Sequence, residues 1–194
     1  SVTFHRRKPA HVLQSGVGLC GEVVLADIGI PDGWQDQIEP VANLNRAAGW
    51  RHFLPRREAD THKHKRGRLA VFSGPAGSTG AARLAAMAGL RAGAGLVTIV
   101  SPESAMAENA EHLTAIMLRE AEANAENDIA AVRASAAVLG PAYGTGPTTR
   151  DRVHSALRGD AGLVLDADAL SSFEGCPEDL FAALRPGDVL TPHL

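Results

Sequence analysis

The sequence predicts an α/β fold in which a mainly parallel sheet is flanked by helices. From residue 68 onward, short apolar runs alternate with segments of helical periodicity. The apolar runs are largely continuous, which is typical of strands covered on both faces. Glycine makes up 20 of the 194 residues and aromatic residues only 4%, a composition that suits close packing of helices on a sheet.

The predicted elements alternate without interruption through this part of the chain. Strands are predicted at 68–73, 96–100, 115–118, 136–140, 163–166 and 188–191, and helices at 80–92, 103–111, 127–134, 148–158 and 177–184. Ligands of such sheets bind beyond the carboxyl ends of the strands, so the segments that follow the strands form the candidate site.

The first predicted helix, over 80–92, carries small residues that allow it to lie close to the sheet. Glycines at 93 and 95 end it. The helical periodicity predicts that its core face consists of Ala81, Leu84, Ala85, Met87 and Ala88.

The first sixty residues have a different character. Residues 1–4 alternate like a strand, and residues 21–31 (GEVVLADIGIP) predict an apolar strand closed by Gly and Pro. Residues 31–60 lack sustained periodicity and are interpreted as a linker. The chain begins without methionine and stops after an apolar run, so we expect it to be an interior piece of a longer protein.

Composition and charge narrow the classes of function. The formal net charge is −3 and the one basic cluster, residues 62–68, is short, so nucleic-acid binding is not expected. His62 and His64 in that cluster are interpreted as a solvated segment. The sequence contains neither a run of 18 apolar residues nor a signal-peptide pattern. We therefore expect a cytoplasmic protein without a membrane partner. Cys20 and Cys176 are far apart, which argues against a disulfide framework or a zinc site.

A glycine-rich segment, GPAGSTGA from Gly74 to Ala81, connects the strand predicted over 68–73 to the helix predicted over 80–92. Its backbone can approach a ligand closely, and the amides of Gly80, Ala81 and Ala82 point out of a helix N-terminus, where an anionic or polar group can dock. Ala81 stands where a Walker A loop needs lysine, and Ala76 where GxGxxG needs its second glycine, which excludes both nucleotide fingerprints. A tight turn without a ligand explains the spacing equally well.

Three further motifs each follow a predicted strand, and so should lie at the same edge of the sheet. They are GPAYG (Gly140 to Gly144), DADAL (Asp166 to Leu170) and TPH (Thr191 to His193). The two carboxylates of Asp166 and Asp168 can bind Mg²⁺ or a water molecule, or cap a helix, and the pattern favours neither. The position of His193 at a strand end favours a ligand over an ordinary turn residue.

Taken together, these motifs resemble the dehydratase domain of the NAD(P)H-hydrate repair enzymes, a ribokinase-like family. The resemblance runs in order through His62-Lys63, Gly67-Arg68, the glycine-rich segment, RAGAGLV, GPAYG, VLDADAL and LTPH, and covers residues 61–194. More weakly, residues 1–30 resemble the last strands of the epimerase domain that precedes the dehydratase in the bifunctional form.

The resemblance implies a reaction. NADHX or NADPHX, in which the nicotinamide ring is hydrated at C6, is dehydrated with ADP or ATP and Mg²⁺, because phosphorylation turns the hydroxyl into a good leaving group. K⁺ would belong to the epimerase part. The hydrated dinucleotide would contact Gly80, Ala81, Gly140, Gly144 and His193.

The same resemblance implies that the ribokinase-like sheet is incomplete at the C-terminus. The family's GxGD aspartate, its catalytic base, is expected C-terminal to LTPH, so the chain alone is expected to be inactive. In the family's GPGLG loop, Ala142 replaces a glycine and Tyr143 a leucine, which affects the fit of the loop. A carbohydrate-type kinase and a non-catalytic nucleotide-binding module are the alternatives, and a homo-oligomer is left open.

Overall fold

The structure, a computed structural model, describes residues 1–31, 33, 43–54 and 66–192. By its contacts the chain divides into two compact units, Ser1–Arg56 and Arg57–Leu194. Across both units, no described helix is long and apolar enough to cross a bilayer.

The first unit contains a two-stranded parallel sheet, β1 (Val2–Phe4) and β2 (Val24–Ala26), with the short helices α1 (Val17–Cys20) and α2 (Ala47–Trp50). The strand predicted over 21–31 is therefore only three residues long. It ends where the Gly29 amide donates to Asp27 Oδ1 at 2.8 Å, a local turn that competes with strand pairing. The part of the predicted linker that is described includes α2 and a 3₁₀ turn, Arg51–Phe53.

The second unit is the predicted alternation of strands and helices. Its elements are β3 (Arg68–Phe72), α3 (Gly80–Ala92), β4 (Leu96–Ser101), α4 (Met106–His112), β5 (Met117–Glu120), α5 (Ala125–Ala131), β6 (Ala136–Leu139), α6 (Pro147–Arg158), β7 (Gly162–Asp166), α7 (Asp168–Ser171), α8 (Pro177–Ala183) and β8 (Val189–Thr191). Only α7 was not predicted.

The element boundaries differ from the predicted ones where side chains form caps. The helix predicted over 127–134 begins at Ala125, because Asn124 Oδ1 accepts from the Glu126 and Asn127 amides. It ends before Arg133, whose φ is +52°. The helix predicted over 103–111 begins with a 3₁₀ turn, and β5 lies two residues later than predicted.

The six strands form one parallel sheet in the order β5-β4-β3-β6-β7-β8. The chain starts at the central strand β3, moves outward to β4 and β5, and returns to pair β6 with the other side of β3. The order therefore reverses between β3 and β6, and open α/β sheets bind ligands in the crevice at such a point.

Helices cover both faces of this sheet, as the continuous apolar strands predict. Side chains alternate along β3: Ala70 and Phe72 belong to one buried cluster, with side chains of α5, α6 and β7, while Val71 belongs to another, with side chains of α3 and β4. All three are fully buried. The predicted α/β class is confirmed.

The predicted core face of α3 is wrong at Leu84, Met87 and Ala88, which are exposed, whereas Ala85 does pack against the buried cluster. Leu84 is 75% exposed and Met87 43% exposed, whereas Ala82 and Ala86 are fully buried against β3 and β4. The helix lies close to the sheet at Ala82 and Ala86, whereas Leu84 and Met87 turn outward, and Leu90 near its C-terminal end packs against the same buried cluster.

Candidate functional site

Two glycine-containing loops follow the central strands: the first glycine loop, residues 74–79, follows β3, and the second glycine loop, residues 140–146, follows β6. Because β3 and β6 are neighbours, the two loops lie side by side. A Cβ added to Gly74 would lie 2.0 Å from the Ala142 carbonyl oxygen, so the backbones of the two loops are in contact. Both predicted glycine motifs therefore meet where the strand order reverses.

The N-terminus of α3 emerges from the first glycine loop. The first helical hydrogen bond runs from the Arg83 amide to the Thr79 carbonyl at 3.2 Å, and the Thr79 side chain makes no capping bond. The amides of Gly80, Ala81 and Ala82 therefore have no protein partner among the described residues. A Cβ added to Gly80 would meet no atom within 4 Å, so this helix end is open to a ligand.

Helix α4 braces the first glycine loop. Glu108 Oε2 accepts from the Gly77 amide at 2.7 Å, and Glu108 Oε1 accepts from the Thr79 hydroxyl at 2.5 Å. These two hydrogen bonds, with the Gly77 amide first, hold the pKa of Glu108 below its ordinary value. The sequence analysis missed Glu108, since nothing local places a residue 31 positions from Gly77 against it.

The adjacent Asn109, fully buried, joins the ends of β3 and β4. Its Nδ2 donates to Ser73 Oγ and to Ser101 Oγ, both at 3.0 Å, while its Oδ1 is buried without a hydrogen-bond partner. The root of the first glycine loop is therefore fixed to the neighbouring strand.

Helices α6 and α7 brace the second glycine loop. Asp168 Oδ2 accepts from the Gly144 amide at 2.8 Å, the Thr149 hydroxyl donates to the Gly144 carbonyl at 2.6 Å, and Ser172 Oγ accepts from the Gly146 amide at 3.1 Å. Gly140 has φ +124°, and an added Cβ would lie 1.8 Å from the Asp166 carbonyl oxygen. The second loop is thus held against the segment that follows β7.

Tyr143 in this loop turns towards the core. Its ring meets the Phe72 ring edge-on, with 6.3 Å between centroids, and its hydroxyl faces the Arg152 guanidinium. Arg152 also donates to the fully buried Asp128 carboxylate at 3.2 Å. Burial raises the pKa of both Tyr143 and Asp128, and the guanidinium partly offsets it. Tyr143 thus combines an apolar contact with Phe72 and a polar contact with Arg152.

Asp166 and Asp168 flank Ala167, which has φ +40° and precedes α7. Asp166 Oδ1 accepts from the Thr191 hydroxyl at 2.7 Å, so it links β7 to β8, while Asp168 holds Gly144. Among the residues with described positions, no group of three or more His, Cys, Asp or Glu could hold a metal ion. Both aspartates brace the site through these hydrogen bonds.

The predicted site residues are thus grouped along one edge of the sheet, in a chain of contacts that runs from the first glycine loop to Thr191. Gly80 and Ala81 lie on one side of the crevice, and Gly140 and Gly144 on the other. His193, His62 and His64 lie outside the described residues. The described part of the edge offers backbone donors, and its carboxylates are already hydrogen-bonded.

A model of the NAD(P)H-hydrate dehydratase family matches residues 69–194. The chain belongs to this family. The resemblance of the ordered motifs is thereby confirmed, over nearly the same residues as predicted.

Among curated proteins, the bifunctional NAD(P)H-hydrate repair enzyme of Moorella thermoacetica is 37% identical over 208 residues, an alignment that covers 100% of this chain and 38% of that enzyme. The chain spans about 38% of the length of the first curated relatives it matches.

Two solved structures share the fold. The ADP/ATP-dependent NAD(P)H-hydrate dehydratase of Bacillus subtilis, co-crystallised with ATP and Mg²⁺, matches with a TM-score of 0.54 and 22% identity over 72% of this chain and 47% of that one. A ribokinase-like protein of Enterococcus faecalis matches with a TM-score of 0.51 and 20% identity over 62% of this chain and 43% of that one. The fold is ribokinase-like.

Proposed function

We propose that the protein carrying this chain dehydrates hydrated NADH or NADPH with ADP or ATP, and so repairs a damaged cofactor. One observation carries the proposal: the two glycine loops meet where the strand order reverses, beside the amides of Gly80 and Ala81, which are accessible and have no protein partner among the described residues. A dinucleotide carries a pyrophosphate, and helix N-terminal amides are donors suited to such an anion. Membership of the dehydratase family supports the choice of substrate.

In this proposal each site residue has a structural role. Gly80 and Ala81 present amides to the substrate, since an alanine methyl group can offer nothing polar. Gly140 and Gly144 have no side chains and so leave room for the substrate at the opposite wall of the crevice. His193 contacts the dinucleotide from the end of β8. Asp166 and Asp168 act indirectly, by holding the second glycine loop and β8 in place.

The chemistry proceeds in two steps. The C6 hydroxyl oxygen attacks the terminal phosphorus of the nucleotide and loses its proton, and the shortened nucleotide leaves. The C6–O bond of the phosphate ester then breaks, the adjacent ring carbon loses a proton, and a ring double bond and inorganic phosphate form. The nucleotide enters as its Mg²⁺ complex, as in the co-crystal of the Bacillus subtilis enzyme. Such transfer depends mainly on positioning and charge, so the chain described here supplies a wall of the substrate site, and the catalytic aspartate lies outside it.

The test is turnover by the protein carrying this chain. Given hydrated NADH, ADP and Mg²⁺, we expect the absorbance of the reduced nicotinamide to return and inorganic phosphate to form in equal amount. Omission of the nucleotide should abolish both signals. A sugar phosphorylated in place of the hydrated cofactor would contradict the proposal and favour a carbohydrate-type kinase, while dinucleotide binding without turnover would favour a non-catalytic module.

We further propose that residues 1–30 end an epimerase-like domain, residues 31–60 form a linker and residues 61–194 begin the dehydratase domain. Val2 is 65% exposed and Phe4 55%, and a two-stranded sheet has too little surface to cover such side chains. Contact with further strands of an epimerase-like domain would cover them. K⁺-dependent epimerisation of the hydrated cofactor by the longer protein would support this assignment, and retention of that activity after removal of residues 1–30 would contradict it.

A further inference from the structure

We propose that Glu108 is a positioning residue for the dinucleotide site: it holds the tip of the first glycine loop and thereby leaves the α3 amides as the donors for the ligand. The proposal rests on the proposed function for the identity of the ligand. It arises from the two hydrogen bonds that Glu108 makes to the Gly77 amide and the Thr79 hydroxyl.

Little else holds the tip of this loop. Pro75, Ala76 and Gly77 are exposed, and a Cβ added to Gly77 would meet no atom within 4 Å. One local turn bond, from the Ser78 amide to the Pro75 carbonyl at 2.9 Å, lies within the tip. Packing therefore does not fix the tip, whereas a carboxylate that accepts from two successive donors does.

The root of the loop is fixed by the neighbouring residue on the same helix. Asn109 is fully buried and donates to Ser73 and Ser101. Successive residues of α4 thus hold the two ends of one loop, and the α3 amides begin directly after the end that Glu108 holds. A shift of the tip would therefore displace the amides of Gly80 and Ala81.

The carboxylate also decides which donors remain for an anion. Glu108 occupies the Gly77 amide and the Thr79 hydroxyl, the donors that lie just before the helix. Arg83 on α3 and His112 on α4 are the charged or titratable groups that face it, and both favour its ionised form. The negative charge repels a phosphate from the loop tip, while the amides of Gly80 and Ala81, which are not buried, remain available.

The chain offers two variants that separate these bonds. In Glu108→Gln, the side-chain oxygen can still accept from Thr79, but the NH₂ group cannot accept from the Gly77 amide. Thr79→Val removes the hydroxyl bond at nearly constant volume. Glu111→Gln is the matched control, because Glu111 lies on the same helix, is exposed and makes no hydrogen bond with the described residues.

The first measurement is amide hydrogen exchange in the protein carrying this chain. We expect Glu108→Gln to speed exchange at Gly77 and Ser78, the hydrogen-bonded amides of the loop tip, by about tenfold, because lost charge-assisted hydrogen bonds of this kind contribute on the order of one factor of ten. Thr79→Val should give a smaller increase. The free-energy effect of the double variant should be smaller than the sum of the two single-variant effects, because the bonds share one carboxylate.

The second measurement is steady-state turnover of the hydrated dinucleotide. We expect Glu108→Gln to raise KM by about three- to tenfold with kcat within about twofold, since the residue orders the binding surface and does not touch the reacting atoms. Unchanged exchange at Gly77 and Ser78, or a KM change of equal size in Glu111→Gln, would overturn the proposal. Amide exchange does not depend on turnover. An inactive wild-type protein would therefore contradict the proposed function, while faster exchange in Glu108→Gln would still show that Glu108 holds the loop.

Discussion

The two glycine loops lie side by side and are held in different ways. The second is tied to α6 and α7 by three hydrogen bonds through Asp168, Thr149 and Ser172, and by an aromatic side chain that turns inward. The tip of the first depends on one carboxylate from α4. The second loop is thus a fixed wall of the crevice, whereas the first, which carries the ligand-facing amides, is the more easily adjusted wall.

The largest expected effect comes from adding a side chain at Gly140, where the second glycine loop lies against the Asp166 carbonyl oxygen. Gly140→Ala should lower the free energy of unfolding by about 3 kcal/mol or more, since φ is +124° and the new Cβ would collide with the Asp166 carbonyl oxygen. Gly80→Ala, on the first loop's helix, should change stability by less than about 1 kcal/mol, because its Cβ meets open space. Urea unfolding of both variants provides the comparison, and equal losses would contradict it.

A smaller loss is expected from Asp168→Ala. It leaves the Gly144 amide without its acceptor, which should cost about 1–2 kcal/mol and speed amide exchange across residues 142–146. Asp151→Ala on α6 is the control, because that side chain is exposed and makes no hydrogen bond with the described residues. Unchanged exchange in Asp168→Ala would show that the second loop is not braced as described.

Two carboxylates should give the free energy of unfolding opposite pH dependences. They are Glu108, which holds the first glycine loop, and Asp128, which binds Arg152 beside Tyr143 of the second. The lowered pKa of Glu108 means that its bonds stabilise the fold above the unfolded value, and that this contribution disappears as pH falls through the folded pKa, below about pH 4. Burial raises the pKa of Asp128, so its ionisation costs stability as pH rises from about 4 through the raised value.

Unfolding curves measured between pH 3 and pH 8, on the order of one unit apart, test this difference. The stability deficit of Glu108→Gln relative to wild type should shrink towards acid pH. Asp128→Asn should gain relative to wild type as pH rises. Parallel pH profiles for both variants would contradict the assigned directions.

The smallest expected effect is at Ala142, whose φ is +53°. Ala142→Gly should raise the stability by about 0.5 kcal/mol, since relief of the left-handed alanine slightly exceeds the entropy that glycine adds to the unfolded chain. Thermal unfolding would detect it as a small rise in Tm. A decrease would show that the strain at Ala142 is offset elsewhere.

Much of the fold could be predicted because local signals and tertiary structure agree. The bounds of α3 are those predicted, 80–92, since Gly80 follows the turn and Gly93 ends the helix with φ +119°. The parallel order follows from strands that are apolar throughout. The edge on which the motifs lie follows from that order alone, because every motif comes after a strand.

The remaining features depend on distances that the sequence does not contain. Leu84 and Met87 were predicted to face the core from the helical periodicity, but Ala82 and Ala86 occupy the positions closest to the sheet. The hydrogen bond from the Gly144 amide to Asp168 could not be predicted, because its partners are 24 residues apart in the sequence. Glu108 is one of many acidic residues in the sequence, and only its hydrogen bonds to the first glycine loop distinguish it.

The central claim is that the α3 amides beside the two glycine loops bind the hydrated dinucleotide. Calorimetric titration of the protein carrying this chain, as wild type and as Gly80→Leu, tests it most directly. The leucine Cβ would meet no atom within 4 Å, and the side chain would stand between the amides and the ligand, so we expect at least about tenfold weaker binding without loss of thermal stability. Gly162→Leu, in β7 and with equally open surroundings, should bind like wild type. Equal affinity of Gly80→Leu and wild type would contradict the account and leave the first glycine loop as a structural turn.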